Sequence, residues 1–193
     1  EREPEPSDSR GAVVLDRAQC LRFAVGTIAE VLGPRFSDVD AHPTRVRLPD
    51  VPLMLVDRVV ALDAEALSLS GGRIVTEHDV GSGAWYLDHG RIPTCIAVEA
   101  GQADLLLSAY LGIGLQTHSE AVYRLLDAVV TFHAALPGPG AVIRYDIEIE
   151  RFARRSGIWM FHFRFEATVD GRPLLSMSDG CAGFFTETDL AAG

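Results

Sequence analysis

The chain has 193 residues, 48% of them hydrophobic, enough apolar material for one domain with a substantial core. Its formal net charge is −10 and all 17 basic residues are arginine, which excludes a basic stripe for nucleic acid and any lysine-based Schiff-base or P-loop chemistry. Cys20, Cys95 and Cys181 fall in no metal or disulfide spacing, which predicts a reducing cytoplasm, and no run of about 18 apolar residues is present to cross a membrane as a helix.

Residues 1–14, opening EREPEPSDSR, combine charge, proline and serine with almost nothing to bury and read as a linker. No initiating methionine precedes them, which predicts a domain drawn from a longer polypeptide. Residues 15–48 read as an N-terminal helical extension. Asp16 stands at an N-cap position ahead of a helix reaching about Leu32, with Leu21, Val25, Ile28 and Leu32 as its apolar stripe and Gly33-Pro34 as its stop. Pro43, Pro49 and Pro52 then each remove a backbone donor, so this stretch is a loop.

From 49 to 187 the pattern is that of one α+β domain. PLMLVDRVVAL, residues 52–62, is rich in branched apolar residues and predicts a strand, with 66–77 returning as a second one, loosened at Gly71-Gly72. The stretch 79–94 carries Gly81, Gly83, Gly90 and Pro93 and is a loop. It also holds Trp85, Tyr86 and Leu87, whose size predicts packing over a pocket, as core or as tunnel lining. Residues 95–112 are apolar nearly all round, the pattern of a helix buried on most sides, with Gly112 as its C-terminal cap.

The rest is β-rich. A strand spans about 121–133. Ile143, Tyr145, Ile147 and Ile149 alternate with polar residues, Trp159, Phe161, Phe163 and Phe165 alternate with Met160, His162, Arg164 and Glu166, and a last strand spans 172–185. PGPG at 137–140, residues 155–157 and Asp170-Gly171 supply the turns. The sum is one long antiparallel sheet wrapped around a central helix.

The chemistry centres on that helix. A carboxylate in an apolar helix needs a partner or a shifted pKa, which singles out Glu99. His89 lies ten positions earlier, and a near-neutral base beside a carboxyl raised by burial is a general acid/base arrangement. Free N–H groups of the first helical turn, near Thr94 and Cys95, would face the same place and polarise a carbonyl. This constellation suits proton abstraction beside a thioester carbonyl with loss of a β-hydroxyl.

Each of these residues also has a structural alternative. Glu99 pairs with Arg91 or Arg58, His89 is a loop histidine held by a carbonyl, and Gln102, one turn past Glu99, serves either the carboxylate or the backbone. Asp104 lies off that face and reads as a solvated or interface charge, and Cys95 reads as a small packed residue. His78, His133 and His162 read as structural, with His78 the reserve base. There is no nucleophile elbow, P-loop or dinucleotide fingerprint.

The stretches PLMLVDRVV, AWYLDHG with PTCIAVEA, SAYLG, LLDAVVTFHAALPGPGAVIRYDIEI and VDGRPLLSMSDGCAGFF together resemble the hot-dog-fold 3-hydroxyacyl-thioester dehydratases. The likeness is to the β-hydroxydecanoyl dehydratase type, and above all to the dehydratase domains of polyunsaturated fatty acid and polyketide synthases. It covers roughly residues 45–186, and 15–48 resembles the extension of synthase-embedded members.

The resemblance implies dehydration of a 3-hydroxyacyl chain, carried on the phosphopantetheine arm of an acyl carrier protein, to the 2-enoyl thioester, with optional double-bond isomerisation. It implies His89 as base, Glu99 as helix carboxylate, the Thr94 N–H as carbonyl-binding donor and Gln102 as support, with no metal and no diffusible cofactor. It also implies a homodimer, or pairing with a second hot-dog unit of the parent synthase, because acid and base of one site commonly come from two units. Two features depart from the family pattern: only Gly90, Arg91 and Ile92 separate His89 from Pro93, and Gln102 follows Glu99 by three residues instead of four. A catalytically silent acyl-binding or supporting unit and an acyl thioesterase are the alternative readings.

Overall fold

In the computed structural model, which describes residues 14–117 and 121–191, six antiparallel strands form one sheet in the order β1-β2-β4-β5-β6-β3. The strands are β1 Arg58–Asp63, β2 Gly72–Asp79, β3 Ala121–Phe132, β4 Val142–Arg155, β5 Ile158–Val169 and β6 Arg172–Thr186. The period-2 pattern acts as expected: Ile143, Tyr145, Ile147 and Ile149 of β4 and Phe161, Phe163 and Phe165 of β5 are buried on one face. Two hairpins close on Ser156-Gly157 and Asp170-Gly171, whose positive φ at both central residues is what the right-handed twist of the flanking strands requires.

The sheet wraps the stretch that carries Glu99. Ala97, Ala100, Ala103, Leu106, Leu107 and Leu111 pack onto the buried strand residues, and the Tyr145 hydroxyl donates to the Ala97 carbonyl at 2.7 Å. The expected single helix over 95–112 is three shorter ones, α4 Thr94–Glu99, α5 Asp104–Tyr110 and α6 Ile113–Thr117. Between α4 and α5 the hydrogen bonds tighten to three-residue spacing, from Gly101 N–H to the Val98 carbonyl and from Gln102 N–H to the Glu99 carbonyl. Gly101 is the cause, because its backbone lies against the Phe165 ring, where a Cβ would fall 2.6 Å from a ring carbon.

The N-terminal extension also divides. Asp16 caps α1, Arg17–Val25, with a full capping box to Gln19, as its position predicts. The chain then breaks at Gly26 and restarts as α2, Ile28–Leu32, whose first N–H groups are taken by the Asp40 carboxylate at 2.7 and 2.8 Å. Asp40 itself lies on a one-turn helix, α3 Ser37–Asp40. The expected stripe is corrected with it. Val25 is exposed, and Cys20, Phe23, Ala24 and Ile28 are the buried residues.

Strand β1 starts six residues later than expected, because Met54, Leu55 and Val56 are buried in the core outside the ladder. Strand β2 likewise starts late: the preceding residues cross the end of α5, with Leu67 and Leu69 N–H groups bound to the Tyr110 and Leu111 carbonyls. The outer edge of β1 is closed by Leu15, which exchanges backbone bonds with Val59. Among the described residues nothing covers the other edge, β3, which exposes Val122, Leu125, Leu126, Val129 and Phe132. A short α7, Glu187–Ala191, ends the described chain. Of the linker expected over 1–14, residues 1–13 lie outside the described residues.

Candidate active site

Helix α4 begins behind Pro93, which offers no side-chain cap, so the N–H groups of Thr94 and Cys95 are left for an outside acceptor. Both residues are exposed, and Cys95 is therefore not the packed residue its size predicts. One turn further, Glu99 is half-buried, and burial raises its carboxyl above the ordinary carboxylate range. Neither candidate arginine reaches it. Arg91 donates to the Leu136 carbonyl, and Arg58 binds Glu77 and Asp79. Among the described residues no cation pairs with Glu99, so burial raises its carboxyl without a compensating charge.

His89 sits in a different setting. Asp88 and Arg91 exchange both backbone hydrogen bonds at 2.9 Å, making His89-Gly90 the centre of a two-residue turn with φ of 46° and 73°. This is why the loop to Pro93 can be so short. The turn aims the imidazole outward, 95% exposed, with the Asp88 carboxylate 2.7 Å from Nδ1. Within one chain no hydrogen bond or ion pair joins His89 to Glu99 among the described residues. The β3–β4 connection steadies the turn, since Ile92 N–H binds the Pro137 carbonyl at 3.0 Å and Arg91 binds the neighbouring Leu136 carbonyl.

Gln102 lies in the break between α4 and α5, linked to Glu99 through its backbone N–H. The residue missed from the sequence is Asp104. The surface or interface role read for it is overturned: at the first turn of α5 it is 0% exposed. Its Oδ2 accepts from the Tyr123 hydroxyl at 3.3 Å, and Oδ1 has no partner among the described residues. Burial pushes its carboxyl up to about 7, against the lowering effect of the Tyr123 bond, and the charge of Glu99 pushes the same way. The signal was available, since Asp104 interrupts an apolar run just as Glu99 does. Tyr123 had no such signal, because only strand pairing brings β3 to α5.

A second buried cluster lies under the loop. His78 Nδ1 is 3.1 Å from Asp57 Oδ2 and its Nε2 is 2.7 Å from the Tyr86 hydroxyl, while Asp57 also accepts from the Asp79 N–H at 2.7 Å and from Arg17. Burial works to raise the Asp57 carboxyl, but these donors, His78 foremost, hold it below the ordinary range. His78 is thus buried with a partner at each ring nitrogen. Trp85, expected as core or tunnel lining, is exposed and hydrogen-bonded to the Pro52 carbonyl at 3.1 Å. Tyr86 is the loop aromatic that reaches the core. His133 binds Ser176 at 2.9 Å.

A model of the FabA-like domain matches residues 48–178. The chain belongs to the FabA-like family. Over 183 residues this FabA-like chain is 43% identical to a polyunsaturated fatty acid synthase polypeptide of Thraustochytrium sp., covering 93% of its own length and 12% of that much longer protein. It is 26% identical over 147 residues to the 3-hydroxyacyl-[acyl-carrier-protein] dehydratase FabZ of Xanthomonas campestris, covering 75% of its own length and 92% of the relative. In solved structures the dehydratase heterocomplex ApeI:P of Xenorhabdus doucetiae superposes with a TM-score of 0.52 at 16% identity, over 80% of this chain and 95% of that one. That superposition, together with the sheet wrapped around its central helix, makes the fold the α+β hot-dog fold. No described helix is long and apolar enough to cross a membrane.

Proposed function

We propose that this FabA-like chain is a 3-hydroxyacyl-acyl carrier protein dehydratase domain of a fatty acid or polyketide synthase, removing water from the acyl thioester to leave the 2-enoyl thioester. The observation that carries this reading is Glu99, a half-buried carboxyl raised by burial with no cation partner among the described residues, one turn from an uncapped helix start. In the proposed mechanism a neutral His89 takes the α-proton and the Thr94 and Cys95 N–H groups hold the enolate-like oxygen. Glu99 gives its proton to the departing hydroxyl, and Gln102 supports it. The same two groups would serve double-bond isomerisation, and no diffusible cofactor takes part.

The outward aim of His89 fits a site assembled from two units, each lending its histidine turn to the other's helix. The open β3 edge, with five exposed apolar residues, supports pairing there with a second copy or with another hot-dog unit of the synthase. The acyl carrier protein and neighbouring synthase domains are the proposed partners, and three free cysteines support a cytoplasmic setting. The same histidine turn favours a second reading, a silent unit that props up an active partner.

Conversion of a 3-hydroxyacyl pantetheine thioester to its enoyl product by wild type, His89→Ala and Glu99→Gln separates the two. Activity lost in both folded variants supports the acid/base pair. An inert wild type at saturating substrate establishes the silent unit.

A further inference from the structure

The turn that carries His89 rests on three consecutive residues of the β3–β4 connection. The Leu136 carbonyl accepts from Arg91 Nη1 at 2.9 Å, and the Pro137 carbonyl accepts from the Ile92 N–H at 3.0 Å. Gly138 makes the closest approach, since a Cβ built on it would fall 2.6 Å from the Gly90 carbonyl oxygen. That oxygen is main chain and cannot swing aside as the end of a flexible side chain does. Gly138 does not itself have a positive φ, so its backbone conformation makes no demand for glycine. The missing side chain answers to the contact with Gly90.

The connection is itself tied down. The Val80 N–H donates to the Ala141 carbonyl at 2.9 Å, and the Gly140 N–H donates to the Val80 carbonyl at 2.8 Å. Both ends of the loop 80–92 are therefore bonded to the same connection, and Ile92 is anchored in the core at 1% exposure. Above this seat the imidazole is 95% exposed. The seat, and not packing around the ring, sets where His89 stands.

We propose that Gly138 is a positioning residue for the dehydration: by letting Gly90 lie against the connection, it fixes the height and tilt of the His89 turn, and so where the imidazole meets the α-proton. This rests on the dehydration reading above, with His89 as the base. Proton transfer requires the base within hydrogen-bond reach of the proton it takes, and a turn lifted by the width of a methyl group leaves that reach. Ground-state binding is spared, because in that reading the thioester carbonyl is held by the start of α4 and not by the turn.

Gly138→Ala is expected to lower kcat by about 10- to 100-fold with little change in KM. Hydrogen exchange at the Arg91 and Ile92 amides, which close the turn and bind Pro137, should quicken about tenfold in the same variant. Gly140→Ala is the control: at φ 90° with nothing within 4 Å of the added Cβ, it strains the same connection without meeting the turn. It should lower the urea midpoint and leave kcat within about twofold of wild type. Arg91→Ala should cost about fivefold in kcat, and Arg91→Lys, which keeps a donor for Leu136, should recover most of it.

Wild-type kcat in Gly138→Ala, equal kcat losses in Gly138→Ala and Gly140→Ala, or unchanged exchange at Arg91 and Ile92 overturns the proposal. Where Gly138→Ala does not fold, the exposed Arg91 decides, and wild-type kcat in Arg91→Ala overturns it. A wild type that dehydrates nothing overturns the reaction, and with it the catalytic role of Gly138. Exchange in Gly138→Ala then still tells whether the contact holds the turn, so the two failures are distinct.

Discussion

Asp57 and Asp104 are both buried aspartates in one small domain, and their surroundings drive them in opposite directions. Asp57 lies where β1 meets the N-terminal extension and collects Arg17, His78 and the Asp79 N–H, which outweigh the penalty of burial and hold its carboxyl low. Asp104 lies on a helix inside the sheet, where burial outweighs the Tyr123 hydroxyl at 3.3 Å and the nearby backbone N–H groups and leaves its carboxyl near 7. Burial alone therefore does not set the protonation state; the number of donors within reach does. The first aspartate ties the extension to the sheet. The second is raised by burial at the first turn of α5.

The strongest test of the contrast removes the satisfied partner. Asp57→Ala leaves His78, the Asp79 N–H and Arg17 without their acceptor and is expected to lower unfolding free energy by about 3–5 kcal/mol, read as a lower urea midpoint. Because the folded carboxyl sits below its unfolded value, that contribution is complete at neutral pH and is lost as pH falls through the lowered folded pKa. The gap between wild type and variant should close in acid.

Asp104 should show the reverse dependence. Its folded carboxyl is raised from 3.8 to about 7, so the native state holds a proton that the unfolded chain has released across that interval. Stability then falls as pH rises between those values, by about 4 kcal/mol in total, and is flat above. Unfolding midpoints of wild type against Asp104→Asn from pH 4.5 to 8 would show this as a slope that only the wild type has. Equal slopes would mean that Asp104 is ionised throughout.

Tyr86→Phe sharpens the comparison at a single bond. It leaves the buried His78 Nε2 without its hydroxyl partner, at an expected cost of about 1–3 kcal/mol, measured by thermal or urea unfolding. The smallest effect belongs to an exposed pair. Arg164→Ala removes the contacts to Glu148 and Glu150 on the outer face of the sheet and should change stability by less than about 1 kcal/mol, shrinking further in high salt.

Much of this was legible in the residues. The alternation in β4 and β5, the Asp170-Gly171 turn and the Asp16 cap are local patterns, and local patterns survive folding. Glu99 was legible because a charge in an apolar helix is conspicuous at short range. Asp104 was equally conspicuous, but helical periodicity assigned it to an outer face, and that periodicity ends at Gly101, where Phe165 of a distant strand meets the backbone. The division of the first helix has the same origin, since the Asp40 carboxylate that starts α2 lies eleven and twelve residues beyond the groups it caps.

The sequence by itself determined the α+β class, the strands of the C-terminal half, the family resemblance and the choice of Glu99, because each rests on spacing within one element. Only the tertiary structure decided where the central helix breaks, that His89 stands outward on a two-residue turn, that Asp57 collects donors from three elements and that Asp104 is sealed from solvent beside Tyr123. The physical reason is that desolvation and hydrogen-bond supply depend on which strands and helices are brought against a side chain, and no interval along the chain encodes that distance.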